Sequence, residues 1–215
     1  MVKIDIKNVT KKFKDLIIID DVSIAFKESK IHGLVGRNGS GKTMLLKCIC
    51  GFVPVTSGSI NVNGKIVGKD VDIPENVGLI IEAPGFLPQY NGYKNLKLLA
   101  MINGKIKKEQ VIGAIEQVGL DPYSKKHVGK YSLGMRQRLG LAQALMEDPD
   151  ILILDEPMNG LDNSGVDDIR NILLSLKERG KTIILASHGK EDIEILCDTV
   201  TELDNGKIIS THIRE

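Results

Sequence analysis

Gly36-Arg37-Asn38-Gly39-Ser40-Gly41-Lys42-Thr43 is the stretch on which the reading of this chain turns. It fits the pattern G-x-x-x-x-G-K-[ST]. Ahead of it, Ile31–Val35 is apolar and reads as a buried strand; behind it, Met44–Ile49 reads as a helix. Glycines let such a loop fold tightly, so that backbone N–H groups point inward at phosphate oxygens. The N-terminus of the following helix adds partial positive charge. Lys42 supplies a full charge to the β and γ phosphates of a nucleotide, and the Thr43 hydroxyl can ligate Mg²⁺. At ordinary residue frequencies chance gives roughly one such match per hundred sequences of this size, and the strand–loop–helix context lowers that further.

A second apolar strand, Ile151–Leu154, ends in Asp155-Glu156-Pro157. A buried strand holds carboxylates only at a cost, so both acids belong at its C-terminal edge, where open α/β sheets bind ligands. Asp155 is then placed to hold Mg²⁺, directly or through water. Glu156 is suited to polarise an attacking water. Taken alone, the two acids read equally well as caps of the next helix. His188 follows a third apolar strand, Thr182–Ala186, and should reach the same edge. There it can contact a γ-phosphate or orient the water, although a lone histidine is more often structural.

Around these points, strand and helix patterns alternate, which predicts a mainly parallel sheet covered by helices. Gly78–Ile81 reads as a further buried strand. The first strands differ. Ile4 and Ile6 alternate with charged residues, Val22, Ile24 and Phe26 repeat the pattern, and Ile60 and Val62 lead through Asn63-Gly64 into Lys65–Val67. Two-residue turns join antiparallel neighbours, so an antiparallel N-terminal sheet is expected. Val111, Ile112, Ile115 and Val118 mark one helix ended by Gly119; Val166, Ile169, Leu173 and Leu176 mark another stopped by Gly180. Thr199–Leu203 and Lys207–Thr211 flank an Asp204-Asn205-Gly206 turn and read as a hairpin. Residues 83–130 carry no buried-strand run and read as a mostly helical insertion into the α/β core.

Composition sets limits. The chain has 215 residues, enough for a proper core. Lys plus Arg total 29 and Asp plus Glu 28, so a net charge of +1 gives no overall footprint for nucleic acid. Cys48, Cys50 and Cys197 are too few and too unevenly spaced for a disulfide framework or a zinc site. They are expected to be buried, reduced thiols of a cytosolic protein. No stretch approaches the roughly 18 apolar residues of a membrane helix, and the N-terminus lacks a signal-peptide pattern. Any membrane role must come through a partner.

Taken together these residues resemble the nucleotide-binding subunits of ABC transporters over essentially the whole chain. Gly36–Thr43 resembles the family's Walker A loop. Tyr131-Ser132-Leu133-Gly134-Met135 sits where its signature motif belongs, Leu154-Asp155-Glu156-Pro157 resembles Walker B with its catalytic glutamate, Asn159-Gly160-Leu161-Asp162 resembles the D-loop, and His188 falls at the switch histidine. Phe13 is placed like the aromatic that stacks on adenine. The resemblance implies an α/β P-loop NTPase with a RecA-like core, an N-terminal antiparallel β subdomain and an inserted helical subdomain. The core would span about residues 1–82 and 146–215 and the insertion about 83–145. It also implies an ATPase whose signature residues, Ser132, Leu133, Gly134 and Met135, contact ATP held by a second ATPase subunit, in a homodimer or heterodimer. Ser132 can cap the helix beginning near Leu133, and a capped helix N-terminus is an anion site.

Two departures stand out. Leu133 and Met135 replace the first Gly and the Gln of the usual Ser-Gly-Gly-Gln. Glu82, in Ile81-Glu82-Ala83-Pro84-Gly85-Phe86, replaces the usual Gln after the third core strand, where it could still ligate Mg²⁺ through an oxygen. Both resemble the subgroup of bacitracin and lantibiotic resistance exporters, which implies export of a peptide antibiotic or drug. The implied partner is a membrane-spanning transporter subunit, gripped by the 83–130 segment with exposed-looking Phe86, Leu87 and Tyr90. The implied location is cytoplasmic, on the inner face of the cell membrane through that partner, with no nucleic acid bound. A soluble relative acting on ribosomes or nucleic acid fits less well, since two ATPase domains or long coiled coils are absent. A regulator that holds ATP without hydrolysis is opposed by the intact Glu156 and His188.

Overall fold

A computed structural model describes residues 1–82 and 85–214 of the chain. In chain order the elements are β1 (Val2–Phe13), β2 (Leu16–Lys27), β3 (Ile31–Val35), α1 (Lys42–Ile49), β4 (Ser57–Val62), β5 (Lys65–Ile66), β6 (Val77–Ile80), α2 (Gly92–Asn103), α3 (Lys108–Gln117), α4 (Leu133–Leu145), β7 (Ile151–Asp155), α5 (Asn163–Glu178), β8 (Thr182–Ala186), α6 (Lys190–Leu196), β9 (Thr199–Asp204) and β10 (Lys207–Ile213). One sheet has four strands in the order β2-β1-β4-β5, all antiparallel pairs. The other has six, β10-β9-β3-β8-β7-β6, parallel except for the terminal β9–β10 hairpin. The expected mix of antiparallel N-terminal strands and a mainly parallel core is present.

The inner strands β3, β7 and β8 of the six-stranded sheet are buried on both faces, and their period-2 geometry sorts side chains into two cores. Ile151, Ile153, Ile184 and Ala186 face α1 and the antiparallel sheet, joining Leu45, Ile49, Ile6 and Phe26. Leu152, Leu154, Ile183 and Leu185 face the helices, joining Leu96, Ile115, Leu139 and Leu173. Full burial of each such side chain contributes about 1.5–3 kcal/mol. Cys48, Cys50 and Cys197 are all buried free thiols. Burial pushes the Cys48 thiol up to about 11 and the other two up to about 12, so the reactive thiolate is scarce at neutral pH.

Helices are seated by close approaches rather than by propensity alone. Gly119 and Gly180 follow α3 and α5 in the left-handed conformation, at φ 72° and 84°, ending those helices where the sequence placed their stops. Gly78 on β6 serves packing instead. A β-carbon there would lie 2.1 Å from the carbonyl oxygen of Ala144 on α4. The absent side chain lets α4 lie directly on the sheet edge. Gly78→Ala should therefore push α4 outward and lower stability by about 1–3 kcal/mol, the usual cost of overpacking. Urea denaturation checks this, and an unchanged midpoint would show that the contact is soft.

Candidate nucleotide-binding site

Strand β3 delivers the chain to Gly36, and α1 begins six residues later at Lys42. Between them the backbone turns through left-handed φ values at Gly39 (81°) and Gly41 (106°). Gly36 passes so near Leu203 that a β-carbon would sit 2.2 Å from its carbonyl oxygen. The loop is tied from outside: Gly206 N–H donates to the Ser40 carbonyl at 2.9 Å, and Asp20 N–H donates to the Gly206 carbonyl at 2.9 Å. Lys42 is buried, and its ammonium donates to the carbonyls of Gly36 (2.6 Å) and Arg37 (3.1 Å). A cation thus stands inside the loop, held only by neutral dipoles. Ser40 Oγ is the one buried side-chain polar atom without a hydrogen-bond partner among the described residues. An oxygen-rich ligand suits both groups: it brings acceptors to a cation and to a hydroxyl that lack stronger ones.

The acids meet this loop. The Thr43 hydroxyl, at the start of α1, donates to Asp155 Oδ2 at 2.6 Å, at the C-terminal edge of β7. Glu156 follows in the left-handed region (φ 51°), an uncommon setting for a residue with a β-carbon. Three contacts hold it there. Its N–H donates to the Ala186 carbonyl at 2.9 Å, its carbonyl accepts from Gln137 Nε2 at 3.1 Å, and its carboxylate Oε1 lies 2.8 Å from His188 Nδ1. Loop residues 38–43, Ile18, Met44, Asp155 and Glu156 line one cleft. Thr43 and Asp155 form an oxygen pair that fits a hard divalent cation such as Mg²⁺.

The other sequence candidates are not among the residues that line that cleft. Ser132 Oγ accepts from Met135 N–H at 3.1 Å and caps α4, with Leu133 exposed. Gly134 lies against Leu161, and a β-carbon at Gly160 would strike Leu133 Cδ2 at 2.2 Å, so the segments around Ser132 and Asp162 interlock within one chain. Asp162 caps α5 by accepting from Gly165 N–H at 2.9 Å. Glu82, at φ 61°, is bound to Lys47 Nζ at 2.6 Å rather than to Thr43 or Asp155. Phe13 is half exposed, with Lys11 Nζ 4.5 Å from its ring centroid. Phe86 and Tyr90, which looked exposed in the sequence, are half-buried; Phe86 packs against the helical core, and Leu87 alone of the three is exposed. Ala83 and Pro84 lie outside the described residues.

Sequence reasoning missed three supports: Gly206 beneath the loop, Gln137 on the Glu156 carbonyl and Lys47 on Glu82. The Asn205-Gly206 turn and the Arg136-Gln137 run were visible, but the strand order that makes them neighbours of the site was not.

Comparison with known proteins follows the same lines. A family model described as ABC transporter matches residues 19–159. An uncharacterized ABC transporter ATP-binding protein of Bacillus subtilis (strain 168) is 46% identical, covering 95% of this chain and 94% of that one. A bacitracin transport ATP-binding protein of Enterococcus faecalis is 38% identical over 96% of this chain and 68% of its own length. A lantibiotic transport ATP-binding protein of Streptococcus pyogenes is 36% identical over 95% and 88%. A dimeric ATP-binding cassette bound to ADP and Pi shares the fold, with a TM-score of 0.87 at 21% identity over 99% of each chain.

The unpartnered Ser40 hydroxyl yields a test that separates binding from folding. Ser40→Ala should leave the stability of the nucleotide-free chain unchanged or raise it by up to about 1 kcal/mol, because a buried hydroxyl without a partner is a cost. The stabilisation gained on adding nucleotide should shrink. Thermal melts with and without nucleotide read both effects, and a destabilised nucleotide-free chain would contradict this account of Ser40.

Proposed function

Because this chain belongs to the family of ABC transporter ATP-binding subunits, we propose that Gly36–Thr43 grips the triphosphate of ATP while Glu156 activates the water that cleaves it. The chain is the ATP-hydrolysing subunit of a transporter, acting with a membrane partner. The observation that carries the residue assignment is the Thr43–Asp155 contact at 2.6 Å with Glu156 beside it. It joins the loop for the phosphates to the edge that carries the acids.

In this reading Lys42 exchanges its two loop carbonyls for phosphate oxygens, a stronger charge-assisted interaction. Phe13 lies beneath adenine. Thr43 and Asp155 would hold Mg²⁺, with Glu82 a further oxygen ligand if it leaves Lys47; the ion would neutralise phosphate charge. Glu156 accepts the proton of the attacking water, and His188 keeps its carboxylate aimed through the 2.8 Å contact. The oxygen–phosphorus bond forms in line as the γ-phosphoryl group leaves ADP.

Ser132 and Gly134 are not among the residues that line this cleft, and in this reading they serve a second subunit. Two chains, identical or different, sandwich two ATP molecules, each capped by the partner's α4 N-terminus. Loss of the γ-phosphate lets the pair open, a ligand-driven two-state switch. A core of about residues 1–82 and 146–215 hydrolyses, and the insertion of about 83–145 passes the motion to the membrane subunit. Leu87 offers an exposed apolar contact there. Among the described residues no helix is long and apolar enough to cross a membrane, and the chain works at the cytoplasmic face through that partner. The bacitracin and lantibiotic relatives support export of a peptide antibiotic or drug, with no nucleic-acid role.

Glu156→Gln should retain ATP affinity, lose about 10²–10⁴-fold in turnover, the usual worth of a positioned base, and accumulate as a closed dimer in ATP. Lys42→Ala should instead lose binding. Steady-state hydrolysis with light scattering reads both, and near-normal turnover in Glu156→Gln would remove it from the base role.

A further inference from the structure

Charge is distributed unevenly along this nearly neutral chain. Residues 83–145 hold ten Lys or Arg against three Asp or Glu, a net of +7, although the whole chain stands at +1. All eight lysines of this segment are exposed. Its two arginines turn inward instead: Arg136 donates to the Tyr131 carbonyl at 2.8 Å, and Arg138 donates to the Val118 carbonyl and to Asp168.

The lysines are ordered along α2. Lys94, Lys97 and Met101 recur at intervals of three and four and so share one face of the helix. Leu96 and Ala100, on the opposite side, are buried. The stripe ends at Met101 and Ile102, 67% and 83% exposed, too open to be core. Lys107 and Lys108 follow at once, at the start of α3. Lys97, Lys107 and Lys108 form no ion pair among the described residues.

We propose that this lysine stripe with its Met101–Ile102 tip rests on an anionic phospholipid surface. Protein interfaces are depleted in lysine and favour arginine, whereas here every exposed cation of the segment is a lysine and both arginines are committed inward. Lysines near an anionic leaflet are attracted as a diffuse field that needs no matched partner. An exposed Met–Ile pair beside them can enter the headgroup layer. The inference rests on the membrane-coupled reading above but is measured on the chain alone. Direct lipid contact would add to the partner-borne membrane role expected from the sequence, orienting the subunit beneath the bilayer before that partner is engaged.

The test is co-sedimentation of the full chain with phosphatidylcholine vesicles, with and without about 30% phosphatidylglycerol, at low and high salt. Binding should be about 10-fold or more tighter to the anionic vesicles, and lost at high salt. The combined Lys97→Glu, Lys107→Glu and Lys108→Glu variant should lose about 10-fold or more, because three charges near the surface reverse. Met101→Ser with Ile102→Ser should lose a few-fold through reduced apolar insertion. Melting temperature and ATP affinity of each variant report that it is folded. Equal binding to both vesicle types, or none, overturns the proposal. So does a charge-reversed variant that still binds vesicles but no longer captures the membrane subunit, since the lysines then face protein. A chain that binds ATP and ignores anionic vesicles sinks this inference alone and leaves the ATPase reading standing.

Discussion

The Gly36–Thr43 loop keeps its shape because its neighbours hold it from outside. Gly206 N–H bonds the Ser40 carbonyl at 2.9 Å, and the Leu203 carbonyl leaves room only for a glycine at position 36. A loop braced this way keeps its Lys42 ammonium and its Ser40 hydroxyl without charged or strong partners of their own. That is costly in an empty protein and favourable once an anion arrives. The C-terminal hairpin β9–β10, remote in sequence, is therefore part of the candidate nucleotide site's frame.

The same sheet that braces the loop presents the acids. β7 is buried on both faces, so its first polar residues emerge only at its end, beside α1. Glu156 then leaves the strand in a left-handed conformation, fixed by bonds from the β8 side and from Gln137 on α4. The Gln137 bond links the helix capped by Ser132 to the backbone of Glu156 within one chain. A displacement of α4 by a second subunit would be felt at Glu156 through that contact. Gly134 and Gly160, each packed against the other's segment, add a second link between the same two regions.

Much of this is legible in the residues alone. The loop, the two acids, the Ser132 cap and the antiparallel start are local patterns, set by residues within a turn or a strand of one another. What could not be read was long-range. Lys47 and Glu82 are 35 residues apart and meet only because α1 and the end of β6 are neighbours. Phe86 looked exposed because it lies in a stretch broken by proline and glycine with no strand or helix pattern, yet it packs against the helical core. The carboxylate that Glu82 brings in place of the usual Gln is matched by that Lys47 ammonium at 2.6 Å.

The most direct measurement is a crystal structure of the chain grown with Mg²⁺ and a non-hydrolysable ATP analogue. The triphosphate should lie within the turn of residues 36–43, with Lys42 on its oxygens and the metal between Thr43 and Asp155. A triphosphate bound elsewhere, or a metal remote from Asp155, would contradict the account at its centre.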